Sequence, residues 1–201
     1  MNAHLFANAE TPQAKLDGVE MTVGYVVGQL YDACEEFRAR FDGGVRISEC
    51  ESKDLSSGEG LGFTSNIVRL CIHFTDPKLS PDFSTVLKAF SIEKILDLWK
   101  HMGDTPDAKE AAQKTMQSLN VAHNAECDFY TMFGEKGVLP LARCFMAQKM
   151  EMEGENKQPG ILAMEDLSRT AKVIRLEESL SVEKVSFLML AAYINSNNQR
   201  L

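Results

Sequence analysis

The chain has 201 residues, 44% of them hydrophobic and 25% charged, with a formal net charge of -8. That length and balance suit one substantial core or two small lobes of a globular protein. An acidic chain whose lysines and arginines are scattered excludes itself as a nucleic-acid binder or a partner for anionic membranes.

Residues 1–20 include MNAHLFANAETPQAKLDG, which has no apolar stretch of the length a signal peptide needs. They read as a loose leader. A helix then begins with Thr22 as N-cap. Val23, Val26, Val27, Leu30, Cys34 and Phe37 fall on one stripe at helical spacing, and Gly43 and Gly44 break it. VRISECES from Val45 alternates weakly, as a strand does. In SSGEGLGFTSNIVRL, Gly58, Gly60 and Gly62 precede an alternating run. Val68, Leu70, Ile72 and Phe74 alternate with Arg69, Cys71, His73 and Thr75, the period of a half-buried strand.

TDPKLSPD is a turn, rich in Pro and Asp. FSTVLKAF, from Phe83 to Phe90, is the next strand, which suggests an antiparallel meander. Two helices follow: a short one in SIEKILDLWKHMG, and a long one capped at Thr105, with Pro106 in first position and Gly134 closing it. VLPLARCFMAQ and GILAMEDLS read as two more strands, joined by the polar loop KMEMEGENKQP. A last helix starts near Ser181 and leads to a polar tail. The densest apolar run, Phe187 to Ile194, is too short to span a bilayer. Five cysteines, an odd number without a C-x-x-C pair, indicate reduced thiols and a cytoplasmic setting.

Two residues stand out against these patterns. Lys88 shares a strand face with Val86 and Phe90, so it points where apolar side chains point. A lysine there either snorkels to solvent or finds a partner. On the long helix, Met116, Leu119, His123, Glu126, Tyr130 and Phe133 cluster within roughly a third of a turn. Glu126 is thus either an inward acid that needs a cation or a wet residue at the edge of the stripe. Pairing Lys88 with Glu126 resolves both. Glycines ahead of a strand, an inward lysine and a helix glutamate are the nucleotide-site parts of a kinase-type lobe. No Lys-Ser or Lys-Thr follows the glycines, so the loop is not a Walker loop. A strand follows it where a Rossmann fingerprint requires a helix.

The ordered set MTVGYVVGQL, SSGEGLGFTSNIVRL, TVLKAF, HNAECDFYTMF and ILAMEDLS resembles the choline-kinase-like proteins of invertebrates, called CHK kinase-like or ecdysteroid-kinase-like, over roughly residues 20 to 195. The resemblance implies the fold of aminoglycoside phosphotransferases and protein kinases, ATP as cofactor, and a small-molecule hydroxyl as phosphate acceptor in a full-length form. It implies that Gly60, Gly62, Phe63, Thr64 and Ser65 form the loop over the phosphates. It implies that Lys88 binds the phosphates and pairs with Glu126, and that Val86 roofs the adenine. It makes MEDL the hinge, with the backbone of Glu165 and Leu167 on the adenine edge and Met164 just before it. Asp166 and Ser168 cap the turn that follows.

The family's catalytic half carries an H-x-D-x-x-x-x-N loop and a second Asp motif for metal. His4, His73, His101 and His123 are the four histidines here, and none is followed two residues later by Asp. No catalytic residue and no metal ligand is therefore assigned, and magnesium is expected only if a C-lobe is supplied. H-x-x-E-C at His123, Glu126 and Cys127 faintly resembles a zinc motif, but a zinc site needs three or four ligands. A Cys–His nucleophile pair drawn from Cys71 or Cys144 with His123 has no local support, and MEMEGE is better read as a solvated loop than as a cation site.

The expectation is an α+β, kinase-like N-lobe: a five-stranded antiparallel sheet with a long packed helix, an N-terminal helix and a C-terminal helical tail. Its units are a leader at 1–20, the lobe and hinge at 21–168, and a linker with a first C-lobe-type helix at 169–201. Its function is that of an ATP-binding lobe of a truncated phosphotransferase, inactive alone. The alternative is a remnant or interaction module without phosphotransfer. Self-association through the surface that faces a C-lobe is expected, with neither nucleic acid nor membrane as partner.

Overall fold

The structure is a computed structural model that describes residues 3–56, 65–79, 82–90, 105–134, 141–152 and 158–170. The fold is α+β. Strands β1 (Ile47–Asp54), β2 (Ser65–Phe74), β3 (Phe83–Phe90), β4 (Cys144–Gln148) and β5 (Ile161–Glu165) form one five-stranded sheet in the order β1-β2-β3-β5-β4. Every pairing in it is antiparallel.

The alternation read from β2 is the burial observed: Val68, Leu70 and Ile72 are inaccessible, while Arg69, Cys71 and His73 are half-buried. In β3, Phe83, Thr85 and Leu87 face the main core. Helix α1 (Val23–Ala33) supplies the other side of that core through Val26, Val27 and Leu30. Helix α3 (Pro106–Phe133) packs against the opposite face, where Met116 meets Phe90 and Met150. Strand alternation explains this division, because Phe90 and Leu87 point to opposite sides.

The cap at Thr22 forms as expected, its Oγ1 accepting the Tyr25 N–H at 3.2 Å. The helix beyond it is not continuous. Cys34 adopts an extended backbone (φ -113°, ψ 109°) and separates α1 from the short α2 (Glu35–Ala39). Arg38 of α2 reaches back and donates to the carbonyls of Tyr31 and Asp32, both at 3.0 Å. These last carbonyls of α1 would otherwise lack partners, so the break is satisfied from the next helix. The stripe's periodicity did not reveal it, since Cys34 and Phe37 are buried either way. Gly43 and Gly44 sit at φ 74° and 83°, the left-handed region that only glycine enters freely, and turn the chain into β1.

Residues 3–20 are not a loose leader. Leu5, Phe6 and Leu16 are 2–3% exposed and belong to the main core. Phe6 bridges Ile47 in parallel, and Ala7 N–H donates to the Ile47 carbonyl at 2.8 Å. Three isolated apolar residues carry no period, so only the long-range pairing exposes their role. Of the strand expected over VLPLARCFMAQ, residues 138–140 lie outside the described residues, and the described strand spans Cys144–Gln148, with a register shift between Cys144 and Met146. The expected helix in SIEKILDLWKHMG, most of the glycine loop and the helix and tail beyond Ser181 lie outside the described residues. No described helix is long and apolar enough to cross a membrane.

Candidate functional site

Lys88 stands on the sheet face opposite the main core. Its neighbours across the ladder are Ile67 of β2 and Leu162 of β5, while Val86 lies between Arg69 and Met164. Lys88 Nζ donates to both carboxylate oxygens of Glu126, at 2.8 and 2.6 Å. The expected pair therefore forms. Both side chains are about 30% exposed, so the pair is half-buried at the rim of the α3 interface. The buried stripe of α3 is Met116, His123 and Cys127, with Leu119, Tyr130 and Phe133 half-buried. Glu126 borders that stripe, one position from Cys127. Its edge position and its pairing hold together: the acid stays partly wet while it holds the lysine.

The segment expected to form a hinge follows β5. Thr85 Oγ1 donates to the Met164 carbonyl at 2.8 Å, and Glu165 N–H donates to the Arg143 carbonyl at 2.8 Å. Asp166 Oδ1 accepts the Ser168 N–H at 3.0 Å, and the Leu167 carbonyl accepts the Thr170 N–H at 2.9 Å. Asp166 thus caps the turn after the strand, as its type and position suggest.

Asp166 also does something its local sequence does not announce. Its Oδ2 accepts the Ser84 hydroxyl at 2.7 Å and lies 3.0 Å from Arg69 Nε. The Arg69 N–H is not aimed along that line, so the contact is an ion pair and not a directed hydrogen bond. Burial by itself would raise the Asp166 carboxyl. The hydrogen bonds from Ser84 and Ser168 and the Arg69 charge outweigh it and hold the group below its ordinary range. A cleft of about 610 Å³ opens beside this network, walled by Arg69, Cys71, His73, Ser84, Asp166 and Ser168 among others. Lys88 and Glu126 are not part of its wall.

Of the residues expected to touch nucleotide, Val86, Lys88, Glu126, Met164, Glu165 and Leu167 are thus brought to one side of the sheet or to the chain leaving it. Ser65 opens β2, buried opposite Phe90. Gly60, Gly62, Phe63 and Thr64 lie outside the described residues. Sequence reasoning missed Arg69 and Ser84. The available signal was alternation, which puts both on the face of Lys88, but only the β2–β3–β5 order brings them to Asp166.

The H-x-x-E-C pattern has another explanation. His123 Nε2 lies 3.0 Å from the Gln148 carbonyl, which can only accept, so that nitrogen carries the proton. Cys127 Sγ lies 3.4 Å from the same nitrogen and 3.5 Å from the same carbonyl, and burial first of all pushes its thiol up to about 11. Nothing there deprotonates a thiol. Glu126 is engaged with Lys88, and among the described residues no group of three His, Cys, Asp or Glu is placed to hold a metal ion.

Gly160 explains how tightly His123 is held. A Cβ built on Gly160 would come within 2.4 Å of His123 Nε2. Gly160→Ala is expected to destabilise the fold by about 1–3 kcal/mol, because the imidazole must leave its carbonyl partner. Urea denaturation checks this, and His123→Ala in the same chain is expected to restore part of the loss. A Gly160→Ala chain as stable as wild type would contradict the packing described.

The family model described as "DUF1679: Uncharacterized oxidoreductase dhs-27" matches residues 29–193. No curated protein and no solved structure matches the chain.

Proposed function

The chain belongs to the DUF1679 family, and from that premise we propose that it is the ATP-binding lobe of a CHK kinase-like phosphotransferase acting on a small alcohol-type acceptor. The observation that carries the reading is the Lys88–Glu126 pair, 2.6 and 2.8 Å, on the sheet face beside the strand that leads into the hinge. A half-buried ammonium held by a carboxylate is the arrangement that fixes a lysine toward nucleotide phosphates. In this reading Lys88 binds the α and β phosphates, and Gly60, Gly62, Phe63, Thr64 and Ser65 cover them. Val86 and Met164 flank the adenine, and the backbone of Glu165 and Leu167 meets its edge. Bound ATP supplies the phosphoryl group.

The word oxidoreductase in the family's description points to other chemistry. The common dinucleotide fold places a glycine-rich turn between a parallel strand and a helix. Here the pairings are antiparallel and the strand β2 follows the glycines. That supports phosphotransfer over hydride transfer. All five cysteines are free, in keeping with a cytoplasmic setting.

These 201 residues hold no H-x-D-x-x-x-x-N segment. The reading therefore includes no phosphoryl transfer by this chain on its own. A second reading, an interaction module, is favoured by one feature. Val121, Phe129 and Met132 lie along the outer side of α3, with 70%, 36% and 55% exposure.

Calorimetric titration with ATP distinguishes the two. Saturable binding, with a Kd at or below about 1 mM, is expected, together with no ADP formation in the presence of magnesium and a panel of small alcohols. Absence of saturable ATP binding would leave the interaction module. Robust turnover lost in Lys88→Ala would overturn the claim that the chain is inactive alone.

A further inference from the structure

The backbone of a hinge can read an adenine edge only if its peptide groups are held still. A freely moving loop must be ordered at each binding event, and that cost is subtracted from affinity. The chain leaves the sheet after Glu165, and Glu165 and Ser168 are exposed. Between them the chain differs. The Asp166 side chain is 10% exposed and is held from β2 and β3. Ser84 of β3 donates to it at 2.7 Å and Arg69 of β2 lies 3.0 Å away. Its other oxygen accepts the Ser168 N–H, so one carboxylate ties the turn to the sheet.

The strand that provides Ser84 also provides Lys88. Ser84, Val86 and Lys88 are successive residues on one face of β3. Four residues of strand separate the hinge anchor from the lysine by about 13 Å. That length is set by the backbone of a central strand and does not change with loop motion.

We infer that Asp166 is a positioning residue that locks the hinge to β2 and β3 through Arg69 and Ser84, setting the base end of the nucleotide site at a fixed span from Lys88. This rests on the nucleotide reading above. Asp166 touches no ligand itself. It acts through the backbone of Glu165 and Leu167, so it matters for the base and not for the phosphates. A residue with a merely structural role would weaken both.

The test is calorimetry with two probes, ATP and inorganic tripolyphosphate, on the 201-residue chain and on Asp166→Ala, Asp166→Asn and Ser84→Ala. Tripolyphosphate engages Lys88 without a base. Asp166→Ala is expected to weaken ATP by about tenfold or more, and to leave tripolyphosphate within about twofold of wild type. Asp166→Asn keeps one acceptor, its Oδ1 for the Ser168 N–H, while its Nδ2 can only donate to the Ser84 hydroxyl and the charge pair is lost, so it is expected to fall between wild type and Asp166→Ala. Should Asp166→Ala fail to fold, Ser84→Ala carries the same test, since it deletes one hydroxyl on a half-buried position.

Equal losses for both probes, or no loss of ATP affinity, would overturn the inference. Its failure is separable from that of the reading beneath it. A wild-type chain that binds neither probe removes the nucleotide site altogether. A chain whose ATP binding depends on Lys88 but ignores Asp166 and Ser84 removes only the lock.

Discussion

Lys88→Ala is expected to lower ATP affinity by on the order of a hundredfold, the upper part of what a lost charge-assisted hydrogen bond to phosphate produces. Two effects add. In the proposed site the cation that would meet the phosphates is gone, and Glu126, which now has Lys88 Nζ at 2.6 and 2.8 Å, would be left as an unpaired carboxylate facing them. Glu126→Gln separates the effects. It keeps the lysine but frees it to wander, so a smaller loss, on the order of tenfold, is expected. The double variant Lys88→Ala with Glu126→Gln is expected to bind better than Lys88→Ala alone, because the stranded charge is removed. Loss of folding does not account for such a pattern. Both side chains are about 30% exposed, so solvent screens the pair and its part in stability is about 1 kcal/mol or less. Calorimetry with urea midpoints measured in parallel checks both statements. Wild-type affinity in Lys88→Ala would place the phosphates elsewhere.

Phe37→Ala is expected to cost about 3–5 kcal/mol of folding stability, the range for deleting a fully buried aromatic ring. The ring is inaccessible to solvent. Its centroid lies 4.8 Å from Phe83, 5.3 Å from Phe41 and 6.3 Å from Phe74. The five-residue helix α2 cannot stabilise itself by propensity, since isolated helices that short do not persist in water. It is seated by this ring. Phe83 begins β3, the strand of Ser84 and Lys88, so the cavity opens at the foot of the strand that carries the site. Against a total stability of about 5–15 kcal/mol for a domain, the loss is a large fraction. The urea midpoint should fall steeply in Phe37→Ala and part of the way in Phe37→Leu. A change below about 1 kcal/mol would mean that the aromatic cluster does not anchor α2.

The residues on which these expectations turn were not equally legible. Lys88 was visible because it violates a period of two, and Glu126 because it falls beside an apolar stripe of period 3.6. Their partnership followed from cost, since each misplaced charge needed the other. Phe37 was legible as a core residue, but the break at Cys34 that aims it was not. Hydrophobic spacing records which side chains are buried, and both a straight and a broken helix bury this set. Cys127 is absent from the stripe read on the long helix, yet it is buried, and Glu126 takes the edge position. A stripe drawn through Glu126 and one drawn through Cys127 differ by 100° of rotation, and packing against β4 decides between them.

Local chemistry in the chain by itself determined the strands β2 and β3, the long helix with its Thr105 start and Gly134 stop, the cap at Thr22, the turn at Asp166 and the two charged residues that seek each other. Each rests on contacts within a few residues or on a period that one element repeats. The tertiary structure alone decided that Leu5, Phe6 and Leu16 belong to the core, and that His123 and Cys127 share one carbonyl. It alone brought Arg69, Ser84 and Asp166 together. Those contacts join side chains up to scores of residues apart, with Ser84 and Asp166 separated by 82 positions. No local propensity encodes such a meeting, because it depends on the order in which strands pair and on which face each one turns inward.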